Sequence, residues 1–453
     1  MGAAPQPVQR GRIAGLRRRY EPHVETLRSS DTAKAAGLAG AMIANNVIAL
    51  GSTVVFARLL TDYGSLAALV SYFLILSVAG QAIQVATARE GVLGHLGVGP
   101  ELIQTLRRWT RSMALVTVVL SVISVLLRGP IASLVGVRHD PWAAAIGLPA
   151  GCLWLELSIF RGALQGVGDY RSVGLSLIFE QATRLVSGAA LAAAGLGVTG
   201  AYLGTPISFI AMCTFCLLYL RRYAREHRAE VELPHPLPTP PTLWLHIRRA
   251  WAPIGGLIVI AVLQNIDLIA AKHRLHGVQM QSSYAATAVA AKVLIWVAMG
   301  ASFYLVPEVS RRRAAGEETR AVLARALGIV AVCAVPVLLI FAFGAHPLLK
   351  AAFGSKRLEA QGSLLVLGLA FTVLACTYLA IQYMLALKRT WFLAFLAVVA
   401  VAEPVLLLQA SRRPEGFAAV VLAVQAVAAV LAFLLALRHD GPRPATAVNP
   451  EPA

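Results

Sequence analysis

Very few ionisable side chains lie inside the long apolar runs of this chain, and those few define its candidate chemistry. Glu180 and Arg184 stand four residues apart in RSVGLSLIFEQATRLVSG, on one face of a helix. A guanidinium presents a planar fork of N–H donors suited to phosphate or carboxylate, so Arg184 is a candidate anion ligand with Glu180 holding it. Lys292 and Arg161 are further cationic candidates, and Arg58 closes the first apolar run. Asp267, Glu403 and Glu156 are candidates for coupling a proton or a sodium ion. A buried carboxylate that gains and loses its charge can bias one state of a two-state transporter. Asn45 and Asn46 are tandem amides in the first run, and they need partners across helices or in a cavity. The plainer readings are structural: a packing ion pair for Glu180 and Arg184, snorkelling for Lys292, and topogenic anchoring for Arg161. No catalytic residue, cofactor or metal site is expected. Cys213 and Cys216 are three apart without a nearby histidine, and all five cysteines read as small packing residues.

The elements that must position these groups are membrane helices. Of 453 residues only 14% are charged, and the mean hydropathy is +0.70. About twenty apolar residues span the hydrocarbon of a bilayer, and lipid satisfies no open backbone, so helices or closed barrels are required. Continuous runs such as LIVIAVLQNIDLIAA favour helices over the alternation of a barrel. Twelve spans are predicted: 35–58, 65–86, 113–135, 142–161, 173–195, 199–220, 250–271, 283–305, 323–345, 362–384, 391–410 and 416–437. Arg128, Gly129 and Pro130 interrupt the outer end of the third.

The net charge of +18 invites a nucleic-acid reading, and its placement argues against one. Most of the 40 Lys and Arg fall at the termini and in alternate loops, which predicts both termini in the cytoplasm. Residues 1–34 form a basic arm that can lie along anionic lipid, with no apolar segment to serve as a cleaved signal peptide. Residues 35–220 make a first six-helix bundle and 250–437 a second. Between them, 221–249 is a basic linker with a proline-rich middle, and 438–453 reads as a disordered tail. The halves repeat in parallel. An apolar helix ending in a basic residue precedes an aromatic–alanine run in both, and LQGVGDYR after span 4 has a counterpart in LALKRTWF after span 10. Two parallel six-helix bundles predict an all-α integral membrane protein with a cavity between the bundles.

Three stretches carry a resemblance to a known family. They are NIDLIAAKHRLHGVQMQSSYAATAVAAK with FYLVPEVSRR after it, RGALQGVGDYRSVGLSLIFEQATRL, and the first-span pattern from Asn45 to Leu60. With the twelve-span layout, the chain resembles the polysaccharide-exporting flippases of the multidrug/oligosaccharidyl-lipid/polysaccharide (MOP) superfamily along nearly its whole length. The resemblance implies a V-shaped pair of bundles that alternates between inward- and outward-open states. It implies a polyprenyl-diphosphate-linked oligosaccharide as cargo, crossing the bacterial plasma membrane for cell-surface polysaccharide synthesis. A glycosyltransferase or polysaccharide polymerase would then be a natural partner. Related lipid II flippases carry more spans than the twelve read here.

The same fold serves cation-coupled multidrug antiporters, so fold alone leaves the cargo open. The two deep cations suit a phosphate-bearing cargo better. A membrane glycosyltransferase would need a substantial loop with sugar-activating groups, and the first outer loop offers little beyond Asp62. A scaffold without transport has little use for buried ionic residues in repeated bundles.

Overall fold

The computed structural model describes residues 31–437 except 98, 227–250 and 388. The expected arm up to residue 30, most of the proline-rich linker and the C-terminal tail lie outside the described residues. Every regular element among the described residues is helical. In the first part of the chain these are α1 (Asp31–Leu59), α2 (Tyr63–Val92), α3 (Pro100–Leu126), α4 (Arg128–Val135), α5 (Pro141–Gly166), α6 (Tyr170–Leu191) and α7 (Gly197–Glu226). Then come α8 (Trp251–Arg274), α9 (Val278–Ala291), α10 (Val293–Ala314), α11 (Arg320–Phe343), α12 (Ala345–Phe353), α13 (Leu364–Ala386), α14 (Phe392–Gln409) and α15 (Pro414–Ala436).

Eleven described stretches are long and apolar enough to cross a membrane, so the chain is a multi-pass membrane protein. One of them, Tyr170–Glu226, is 57 residues long and does not run straight. It breaks at Ala192–Leu196, where Gly195 adopts φ 98° and ψ 0°, a conformation outside the helical range that glycine reaches without a Cβ penalty. That break separates α6 from α7, where the sequence places the end of its fifth span.

Other boundaries depart from the sequence reading. The third span, expected at 113–135, is helical from Pro100 and stops at Leu126. Pro100 at the first position suits a helix start, because proline lacks only an N–H that would go unpaired there. Arg128, Gly129 and Pro130 open the separate short helix α4 instead. The eighth span, expected as one helix over 283–305, is α9 and α10 joined at Lys292. The ninth stops at Phe343, and the short α12 follows it.

Two compact units divide the chain, and neither is a single stretch. The first holds residues to Leu60, Ala79–Ala132 and Arg138–Ala250. The second holds Thr61–Val78, Ser133–Val137 and the chain from Trp251 onward. In the first unit α6 packs along α7 and α1, and α5 lies between α3 and α7. In the second, α13 is central, flanked by α15, α10 and α11, while α8 packs on α14. The core of α13 is almost wholly apolar, from Leu364 and Leu367 to Ile381 and Met384.

Candidate functional site

In the first unit, the local spacing predicted for Glu180 and Arg184 produces an ion pair along α6, with Arg184 Nη2 to Glu180 Oε1 at 2.5 Å. A third partner completes it. Arg161, expected at the membrane interface, is 0% exposed on α5. Its Nη2 donates to Glu180 Oε2 at 2.9 Å and to the Ser176 carbonyl at 2.9 Å, and its Nε donates to Ser176 Oγ at 2.8 Å. One carboxylate therefore serves two guanidiniums. Arg161 also faces the Trp154 ring and Arg184 the Phe209 ring, at 5.6 and 5.2 Å.

The backbone permits this crowding through Gly204. A Cβ there would lie 2.6 Å from the Arg184 carbonyl and 2.8 Å from the Gly188 nitrogen. Small residues let membrane helices approach this closely, and α7 thereby presses against the turn that carries Arg184. Two buried donors stay without a partner among the described residues, Arg161 Nη1 and Arg184 Nε. The Arg184 side chain keeps 20% exposure. Two guanidiniums on one carboxylate leave a positive surplus, which an anionic group could meet through the free N–H donors and the open face of Arg184. Cys213 lies within electrostatic reach of Glu156, Arg161 and Glu180, so half-buried Glu156 borders the same cluster.

The second unit holds the other ionic cluster. Lys292, at the α9–α10 break, pairs its Nζ with Asp267 Oδ1 of α8 at 3.0 Å, and both are buried. Lys292 also lies 5.2 Å from the Phe371 ring centroid. Glu403 is 0% exposed on α14, where its Oε1 accepts from Gln425 Nε2 of α15 at 3.1 Å. The same nitrogen donates to the Leu263 carbonyl at 2.8 Å. Glu403 is electrostatically coupled to Asp267 and Lys292, and the buried Tyr284 to both carboxylates. Among the described residues, Glu403 Oε2 and Gln425 Oε1 are buried without a hydrogen-bond partner, and the Tyr284 hydroxyl faces Asp267. Among the described residues no group of three or more His, Cys, Asp or Glu is placed to hold a metal ion.

The structure thus brings Arg161, Glu180 and Arg184 together in one unit and Asp267, Lys292 and Glu403 together in the other. Asn45 and Asn46 are half-buried, and Asn45 Nδ2 donates to Asn46 Oδ1 at 3.4 Å. Arg58 is exposed in the last turn of α1. The sequence reading missed Ser176, Tyr284 and Gln425. A lone amide in AVVLAVQAVAAV was the available signal for Gln425, since an isolated amide in a membrane helix needs a partner.

The second unit also contains a set of polar ties around the start of α2. Both carboxylate oxygens of Asp62 lie 3.2 Å from Lys272 Nζ, and Asp62 caps α2 through the Ser65 amide and hydroxyl. Arg357 Nη2 donates to the Thr61 carbonyl at 3.2 Å, and the Gly64 amide donates to Ser282 Oγ at 3.0 Å. Burial pulls the Arg357 guanidinium below its usual range, and the negative charge of Asp62 opposes that pull. His273 Nε2 lies 2.8 Å from the Leu134 carbonyl.

No protein-family model matches the chain, and no curated protein matches it in sequence. Solved structures do match in fold. A multidrug resistance MATE family transporter of the MOP superfamily, in an inward-facing conformation, superposes with a TM-score of 0.65 at 13% identity, covering 86% of this chain and 93% of that one. The lipid II flippase MurJ in an inward closed conformation gives 0.67 at 14% identity, covering 88% and 87%. The MATE transporter ClbM in complex with Rb+ gives 0.53 at 15% identity, covering 89% and 94%. The chain therefore shares the fold of these solved structures.

Proposed function

We propose that the chain is an alternating-access membrane transporter whose cargo carries an anionic group, with polyprenyl-diphosphate-linked oligosaccharide as the cargo class. The observation that carries this reading is the arginine pair on Glu180, a buried positive surplus with two unpaired N–H donors. A diphosphate accepts hydrogen bonds at several oxygens and meets both charge and donors. The prenyl chain stays in lipid while the headgroup passes the arginines. Twelve spans in two parallel bundles, forming a V whose opening changes sides, would serve this movement. The setting would be a bacterial plasma membrane with both termini cytoplasmic, alongside a glycosyltransferase or polymerase that makes or uses the glycan. The activity is transport, with no chemical step.

A second reading is a cation-coupled multidrug antiporter. The buried Asp267 and Glu403 favour it, with Glu403 Oε2 unpaired among the described residues, and so does the MATE naming of two of the fold relatives above. Reconstituted vesicles separate the two. Labelled polyprenyl-diphosphate oligosaccharide should cross in vesicles holding the wild-type chain, and Arg184→Ala should abolish the movement while Arg184→Lys retains part of it. If no lipid-linked glycan crosses, and a proton or sodium gradient instead drives efflux of a cationic dye, the antiporter reading replaces the first.

A further inference from the structure

We infer that α10 and α11 form a binding site for an anionic phospholipid on the membrane-facing side of the second unit. The site is a groove of about 610 Å³ lined by Tyr304, Arg325, Gly328, Ile329, Val332 and Cys333. Its walls are apolar and exposed, Val332 at 75% and Ile329 at 46%. Gly328 forms the floor. A Cβ there would meet nothing within 4 Å, so the missing side chain opens the crease.

Arg325 supplies the charge. It lies inside the candidate span Arg320–Phe343, about 8 Å along the helix axis from its start at 1.5 Å per residue. It is exposed and makes no hydrogen bond, ion pair or ring contact with any described residue. Three other arginines near this end are engaged. Arg311 and Arg312 bind Glu308, and Arg320 donates to the Leu437 carbonyl. An unpaired guanidinium within a span needs a counter-anion or water. The crease runs about 12 Å from Arg325 to Cys333, long enough to seat the upper part of an acyl chain with its phosphate on the guanidinium. Exposed apolar walls within a candidate span and an unpartnered cation at the end near the helix start together select an anionic phospholipid. This site is distinct from the Arg161–Glu180–Arg184 cluster and does not rest on the cargo proposed for it.

The test is photo-cross-linking in vesicles of phosphatidylcholine with a minor share of labelled phosphatidylglycerol. p-Benzoylphenylalanine replaces Val332 in the full chain. Arg325→Gln should lower labelling about fivefold, the factor expected for one basic residue at a membrane surface. Gly328→Leu, which fills the crease while keeping Arg325, should lower it as well. Labelled phosphatidylcholine should label the wild type and Arg325→Gln equally. The inference is overturned if phosphatidylglycerol labelling survives Arg325→Gln, or if only Gly328→Leu reduces it. Monodispersity and melting temperature of each variant in detergent show whether a loss comes from misfolding, and Arg325→Lys should restore labelling where Arg325→Gln removes it.

Discussion

At the residue scale, each cluster depends on charges that cannot be removed singly without leaving a partner bare. Glu180→Gln leaves Arg161, fully buried, without the carboxylate it pairs with. Breaking a buried pair on one side costs about 3–5 kcal/mol, so this variant should melt well below wild type in detergent. Glu180→Asp should lose less. The Asp267–Lys292 pair makes a sharper test. Asp267→Asn and Lys292→Met should each destabilise, and the double variant should be more stable than the sum of the two losses predicts, by about 0.5–3 kcal/mol of coupling. Additive losses in thermal unfolding would remove the pairing from the account. Legibility followed sequence distance. Glu180 and Arg184 could be read because four residues fix one helical face. Arg161 and Ser176, 15 residues apart, meet through the packing of α5 on α6, and Lys292 reaches Asp267 across 25 residues. Neither register is written in local periodicity.

At the scale of the helix, the arginine cluster is set by the closeness of α6 and α7. Gly204→Val would drive its side chain into the Arg184 carbonyl and the Gly188 backbone. Overpacking of this kind costs about 1–3 kcal/mol, and here it also pushes the Arg184 turn away from α7. Transport should fall further than the melting temperature does, because the turn carries the proposed headgroup ligand. A melting loss with unchanged transport would show that the cluster tolerates displacement. The apolar runs made nearly every long helix legible, since lipid demands continuous hydrophobic length. Helix ends were less so. Pro100 begins α3 within a polar stretch that hydropathy assigns to a loop, and Lys292 breaks a run that remains apolar on both sides.

At the scale of the whole molecule, the ties around Asp62 bind an early segment of the chain into the second unit. The alternating-access cycle proposed above requires some such set of contacts to part and re-form. Asp62→Ala should therefore raise maleimide labelling of a cysteine placed at Ser282, which is fully buried and bonded to the Gly64 amide in wild type. The exchange Asp62→Lys with Lys272→Asp should bring the labelling back down. Unchanged labelling in Asp62→Ala would mean that the ion pair does not hold this region closed. The sequence reading placed Asp62 in an outer loop and Lys272 at the end of a span, and it had no means to join them. Their pairing spans 210 residues and depends on units that are not contiguous in sequence.

That discontinuity has a consequence for biosynthesis. A ribosome delivers Thr61–Val78 long before Trp251 exists, yet the two belong to one compact unit. At roughly 5–20 residues per second, the 210 residues between Asp62 and Lys272 take about 10–40 s to make. Through that interval the start of α2 has lost the ribosome and has not yet met its partners. Insertase or chaperone contacts during synthesis should concentrate on this segment and end once α8 has emerged.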